Sequence, residues 1–212
     1  MHIPDGFISI PVAVTTGIIA AGAIAYGVKA TSKKMGDKQV PMMGVLAAFI
    51  FAAQMLNFPV AGGTSGHFVG AVLAAILLGP WSALLIMSSV LIVQCLVFQD
   101  GGLLALGANI FNMGVISIFT SYYIYKGIYG LSRKSKVGRL AGAGIAAWFS
   151  VVIAATACAI ELAISGTSPM EVAVPAMAGI HAIIGVAEGA ITVAVLGLIM
   201  ATRADLLELK VA

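Results

Sequence analysis

Apolar runs alternate with short polar or glycine- and proline-bearing breaks along the chain, and they predict helices over residues 11–30, 40–57, 66–79, 82–98, 103–125, 140–165 and 174–201. The breaks read TSKKMGDKQVP, FPVAGGTSG, GPW, QDGG, KGIYGLSRKSKVGR and GTSPMEVAVP, rich in the residues that end helices and turn the chain. Crossing about 30 Å of hydrocarbon takes roughly 20 helical residues. The third run is short for a full crossing.

Composition turns this pattern into a fold class. Of 212 residues, 61% are hydrophobic and only 9% charged, far more apolar surface than a soluble domain of this size can hide. The expectation is an all-α integral membrane protein: a bundle of about seven transmembrane helices forming a single domain over residues 1–212, with no sizeable soluble part. The net charge of +3 gives no support to a nucleic-acid partner. Its placement sets orientation. Lys29, Lys33, Lys34 and Lys38 lie in the first connection, Lys126, Arg133, Lys134, Lys136 and Arg139 in the fifth, and Arg203 and Lys210 in the tail. With seven crossings these three segments share one side, which the positive-inside rule makes cytoplasmic. The C-terminus is then cytoplasmic and the N-terminus outside, whereas six crossings would put one basic segment on the wrong side. A cleaved signal peptide fits poorly, since no basic region precedes the first run and Asp5 is acidic. Cys95 and Cys158 fall inside apolar runs and read as buried small hydrophobes.

No Walker sequence, HExxH, GxSxG or paired-cysteine signature is present, so an enzyme has nothing to stand on and uphill movement needs a partner's ATPase. The three histidines are His2, His67 and His181. The topology puts the first two at the outer surface and the third about two turns into the outer end of the last span. A free amine at Met1, the amide nitrogen of His2 and the His2 imidazole close a five-membered and then a six-membered chelate ring around one divalent ion. His67, in GGTSGH, is the candidate fourth nitrogen, on a glycine-rich backbone able to approach another segment closely. Four nitrogens in a plane favour Ni(II) or Cu(II) over zinc or magnesium, with Co(II) less favoured. IPDG reads as a β-turn with Pro4 second, Asp5 third and Gly6 fourth, folding the N-terminal segment, residues 1–10, back over the bundle. Asp5 and Asp100 are the nearest acids to balance the ion. The competing reading makes His2 an arbitrary residue on a frayed terminus.

Deeper in the bundle, Asn109 and Asn112 lie one turn apart, His181 and Glu188 share a helix face, and Glu161 joins them from the sixth run. Interhelical hydrogen bonding is one reading. The other is that Asp100, Asn109, His181 and Glu188 orient the ligands or hold the outer loops over the ion.

MHIPDGF at the start, GGTSGH before the third run, FQDGGLLALGANIFNMG across the fifth and GIHAIIGVAEG in the last occur in order over essentially the whole chain. On these motifs the chain resembles the CbiM/NikM family, the substrate-capture membrane component of energy-coupling-factor nickel/cobalt transporters. The resemblance implies seven helices with an extracellular N-terminus tucked inward. It also implies metal held by the Met1 amine, the His2 amide and imidazole, and the His67 imidazole. IPDG looks more like the nickel branch than the cobalt branch. The implied function is high-affinity capture of Ni(II), or Co(II), as transported substrate, with no organic cofactor, in a prokaryotic cell membrane. The implied partners are a transmembrane coupling protein, paired cytoplasmic ATPases and often a small additional membrane subunit. The alternatives are a stand-alone secondary transporter or channel for divalent cations, and a membrane enzyme using His181 and Glu188.

Overall fold

Long apolar stretches free of internal breaks form the longest helices. The computed structural model, which describes residues 1–32 and 35–208, runs α1 (Ile10–Ser32), α2 (Gln39–Gln54), β1 (Phe58–Pro59), β2 (Ser65–Gly66), α3 (Ala71–Leu78) and α4 (Pro80–Phe98). It continues with α5 (Leu106–Ile110), a π-helical segment Phe111–Ile116, α6 (Ser117–Leu131), α7 (Lys136–Ile164), α8 (Met170–Thr202) and a 3-10 turn Ala204–Glu208. Among the described residues α1, α4, α7 and α8 are long and apolar enough to cross a membrane, and α2 is a shorter apolar helix. Lys33, Lys34 and Lys210 lie outside the described residues. The remaining basic residues sit at the α1–α2 and α6–α7 junctions and at the end of α8.

Three sequence expectations need correction. The third run is no single helix: its N-terminal part is extended, and only Ala71–Leu78 is helical. Residues 58–66 form a small antiparallel ribbon with Phe58 opposite Gly66 and Pro59 opposite Ser65, closed by Gly63 N–H to Val60 O at 3.0 Å with Gly62 at φ +76°. The fifth run continues to Leu131, because KGIYGL stays helical, and the connection to α7 shrinks to residues 132–135. The sixth break is also smaller: Pro169 ends it, α8 begins at Met170, and Pro175 is carried inside the helix at the loss of one backbone hydrogen bond.

Small residues bring the helices together. On the α7–α8 face a Cβ on Gly185 would stand 2.9 Å from Trp148, and one on Gly189 would stand 3.0 Å from the Gly144 carbonyl oxygen. Trp148 Nε1 donates across this face to Ala182 O at 3.0 Å. Between α1 and α5, a Cβ on Gly107 would stand 2.5 Å from Gly17 Cα and 3.0 Å from Gly17 N. Here backbone meets backbone, and neither side can yield by a rotamer change. Residues 1–9, 57–70, 99–105 and 165–169 gather at one end of the bundle, tied by Gly102 N–H to Ile3 O at 2.8 Å, Thr167 to Phe7 O, and Ser168 Oγ to Gly62 O at 2.9 Å.

The two glycines at the α1–α5 crossing make unequal demands, because nothing lies within 4 Å of a Cβ placed on Gly17. Gly107→Ala should lower the melting temperature by the equivalent of about 1–3 kcal/mol. Gly17→Ala should leave it unchanged or raise it through better helix propensity. Thermal melts of the two variants in the same detergent check the asymmetry.

Candidate metal centre

The first three residues lie outside any helix or strand and are all buried. Met1 and Ile3 are fully buried in the core, while His2, 4% exposed, turns toward the ribbon and the residues after α4. The backbone is pinned on both sides. Ile3 N–H donates to Asn109 Oδ1 at 2.8 Å, and Asn109 Nδ2 donates to Ile3 O at 3.2 Å, so one amide side chain pairs with the peptide as a neighbouring strand would. Phe7 N–H closes on Pro4 O at 3.3 Å. The turn is thus one residue later than expected: Pro4 is first, Asp5 second, and Gly6 third at φ +84°, a left-handed position that suits glycine. Asp5 accepts from Leu103 N–H at 3.1 Å and Leu104 N–H at 2.8 Å. It ties the turn to the loop before α5.

The Met1 amine is buried and donates to Ser65 O and, at 2.6 Å, to Ser65 Oγ. The His2 amide donates to the same hydroxyl at 3.1 Å. Ser65 was missed from sequence: a serine in a glycine-rich stretch carries no signal until its partner, 63 residues away, is known. Ser65 lies in β2, and His67 follows two residues later, just beyond the ribbon. The His67 ring lies 4.5 Å from the His2 ring, centroid to centroid, with 31° between planes. His67 Nδ1 donates to Phe68 O at 2.7 Å, which fixes the neutral tautomer with its lone pair on Nε2. That Nε2 is buried and has no hydrogen-bond partner among the described residues. The structure therefore brings Met1, His2 and His67 together. Among the described residues no three His, Cys, Asp or Glu side chains gather as a conventional metal set; the nitrogens that gather include a terminal amine and a backbone amide.

The other expected residues divide. Asp100, half-buried and bonded by Asn57 Nδ2 at 3.3 Å, places Oδ2 3.6 Å from His2 Nε2. Asn109 holds Ile3. His181 is buried, bonds Met177 O through Nδ1 at 2.7 Å, and has an unpartnered Nε2. Glu188 touches none of the nitrogens and instead accepts from Val69 N–H and Gly70 N–H. Asn112 pairs with Glu161 at 2.7 Å, apart from Asn109's partner. Cys158, buried and free, places Sγ 3.7 Å from Met1 O.

Burial sets the electrostatics. It lowers the Met1 amine from 8.0 to about 5, against the raising pull of Cys158 and Asp100. It lowers His2 from 6.5 to about 3, helped by the adjacent amine. His67 is pushed well below its ordinary value by burial, then by the amine and His2, with His181 adding a little. Burial raises Asp100. At neutral pH these amine and imidazole nitrogens are therefore uncharged, with lone pairs available.

A group whose folded pKa is depressed withdraws stability as pH falls from its unfolded to its folded value. The metal-free protein should therefore lose stability between about pH 8 and about pH 5 through the amine, and between about 6.5 and about 3 through His2. Melts in chelator at pH 8, 6.5 and 5 should fall in that order. The slope should flatten in His2→Ala below pH 6.5.

A family profile described as "Cobalt uptake substrate-specific transmembrane region", CbiM, matches residues 2–206. The chain is 43% identical, over its whole length and 70% of the relative's, to a putative fused nickel transport protein NikMN of Archaeoglobus fulgidus. It is 30% identical to the cobalt transport protein CbiM 1 of Pelobacter propionicus, over 94% of this chain and 91% of that one. It superposes on the crystal structure of a truncated transition metal transporter with a TM-score of 0.88 and 36% identity, covering 95% of this chain and 99% of that one.

Proposed function

We propose that this chain, which belongs to the CbiM family of cobalt-uptake substrate-specific transmembrane proteins, captures Ni(II) at the outer face of the cell membrane for an ATP-driven importer of the energy-coupling-factor type. It is a multi-pass transport component of a prokaryotic membrane and not an enzyme. The observation that carries the reading is one cluster. The Met1 amine and His2 amide donate to the same Ser65 hydroxyl, beside the paired His2 and His67 rings. The ion replaces the two bonds to the Ser65 hydroxyl, taking the amine, the deprotonated amide, His2 Nδ1 and His67 Nε2. Nδ1 is the His2 atom that closes a six-membered ring, which leaves Nε2 to face Asp100 at 3.6 Å. A carboxylate there orients the ring and offsets the single positive charge left after the amide proton departs.

Nitrogen donors in a plane favour nickel over cobalt, in line with IPDG and with the nickel name of one relative, while another is named for cobalt. With the non-helical segment before α3 and α3 itself together making the third of seven passes, and with the N-terminus outside, the site lies on the side from which an importer takes its substrate. The basic junctions then face the cytoplasm, where a coupling membrane protein and ATPase subunits supply the energy that no P-loop in this sequence supplies.

One residue added before Met1 leaves every side chain intact but converts the amine to an amide and shifts the chelate register. It should abolish nickel binding as fully as His2→Ala or His67→Ala, whereas a C-terminal tag should do little. Isothermal titration of these proteins, with melts to confirm folding, is the measurement; unchanged affinity in the extended protein overturns the amine as a ligand.

A further inference from the structure

His67 stands at the joint between β2 and α3, where no regular hydrogen-bond ladder serves the backbone. His67 and Val69 are both buried, so each peptide group at the joint needs a partner other than water. Side chains from two distant helices provide them. Glu188, on α8, accepts Val69 N–H through Oε2 at 2.6 Å and Gly70 N–H through Oε1 at 2.8 Å. Gln54, the last residue of α2 and fully buried, donates through Nε2 to Val69 O at 3.0 Å. Gly70 lies at φ +73°, and a Cβ there would stand 2.9 Å from Ile50, so the approach of this backbone to α2 depends on glycine.

The decisive geometry lies in one peptide unit. The Val69 N–H that Glu188 grips belongs to the same planar group as the Phe68 C=O. That carbonyl accepts His67 Nδ1–H at 2.7 Å. Carboxylate, peptide and imidazole thus form a continuous chain ending on the unpartnered lone pair of His67 Nε2. Hydrogen bonds in series polarise one another. A carboxylate accepting at the N–H end makes the carbonyl a stronger acceptor, which holds the proton on Nδ1 and raises the donor strength of Nε2. Each of the two Glu188 oxygens accepts one N–H, so the carboxyl group is held in place at both ends.

We propose that Glu188 is the positioning residue of His67, acting through the 68–69 peptide as a directly bonded carboxylate acts on a metal-ligating histidine, with Gln54 bracing the next peptide. The role is specific. Glu188 touches no ion, serves His67 alone among the nitrogen donors, and links that donor to the middle of α8. It rests on the proposed capture of metal only for its consequence; the tautomer of His67 is set with or without an ion.

The test uses the full-length protein with a free N-terminus, as wild type, Glu188→Gln, His67→Ala and the double variant. A glutamine turns an NH2 toward one of the two N–H groups. Glu188→Gln should weaken Ni(II) binding about 10–100-fold, the range typical of outer partners of metal ligands. Cu(II), which the three nitrogens of Met1 and His2 can hold by themselves, separates positioning from general damage. In the His67→Ala background Glu188→Gln should change Cu(II) affinity less than twofold. An equal loss with and without His67 overturns the proposal, as does a Glu188→Gln protein that binds Ni(II) like wild type. Nitrogen-15 NMR of labelled histidine in the metal-free protein is the second measurement. Wild-type His67 should show protonated Nδ1 and bare Nε2, and Glu188→Gln should show mixed tautomers; an unchanged His67 spectrum overturns the relay. If wild type binds no Ni(II), the capture reading fails and this NMR comparison still decides the relay. Should Glu188→Gln not fold, Gln54→Met replaces it, with a smaller loss of Ni(II) affinity that vanishes in His67→Ala; a loss that persists there counts against the bracing role.

Discussion

The loop-bearing end of this bundle depends on the burial of Met1 and Ile3. Fixing the backbone of a chain terminus costs about 1–2 kcal/mol per residue, and two buried apolar side chains contribute about 1.5–3 kcal/mol each. For three residues these terms nearly cancel, so the outcome turns on polar groups. Asn109 supplies a donor and an acceptor to one residue, Ile3, Gly102 adds a second donor to the Ile3 carbonyl, and Ser65 receives the Met1 amine and the His2 amide. With either the apolar anchors or the amide pairing gone, the first residues would sample many conformations, and a chelate built on main-chain nitrogens would have no fixed shape.

The same burial decides charge. Burial penalises positive charge in this pocket, and the amine adds to the effect on both imidazoles, so the pocket holds all three as neutral bases. Asp100, half in water, is the nearby acid. A divalent ion that sheds one amide proton then meets one carboxylate, and the assembly approaches neutrality without drawing a second charge into the bundle.

Much of this was legible in the sequence, for reasons that differ by element. Long apolar runs ended by glycine, proline or lysine clusters located α1, α2, α4, α7 and α8, because a helix in lipid is specified by its own residues. The third run misled. Its residues are apolar because protein surrounds them, and hydropathy does not distinguish a buried hairpin and half-helix from a span. The extent of α6 misled for the opposite reason: tyrosines and glycines that look like a break stay helical against α7. His2 and His67 could be singled out by the chelate chemistry of a second-position histidine and by the glycines around the other. Asn109 and Glu188 were visible as polar residues in apolar company, but their partners are backbone groups roughly a hundred residues away. Ser65 and Gln54 carried no signal, since their roles are set by what faces them.

All eight residues of α3 are buried, and at 1.5 Å per residue the helix reaches only about 12 Å, under half the hydrocarbon thickness. Such a segment cannot partition into lipid by itself, and the extended backbone leading into it would leave peptide groups bare there. It touches α2, α4, α6, α7 and α8, helices that lie on both sides of it in the sequence. Its assembly must therefore wait until the later helices have been synthesised, which makes the joint that carries His67 one of the last parts of the molecule to reach its place during biogenesis.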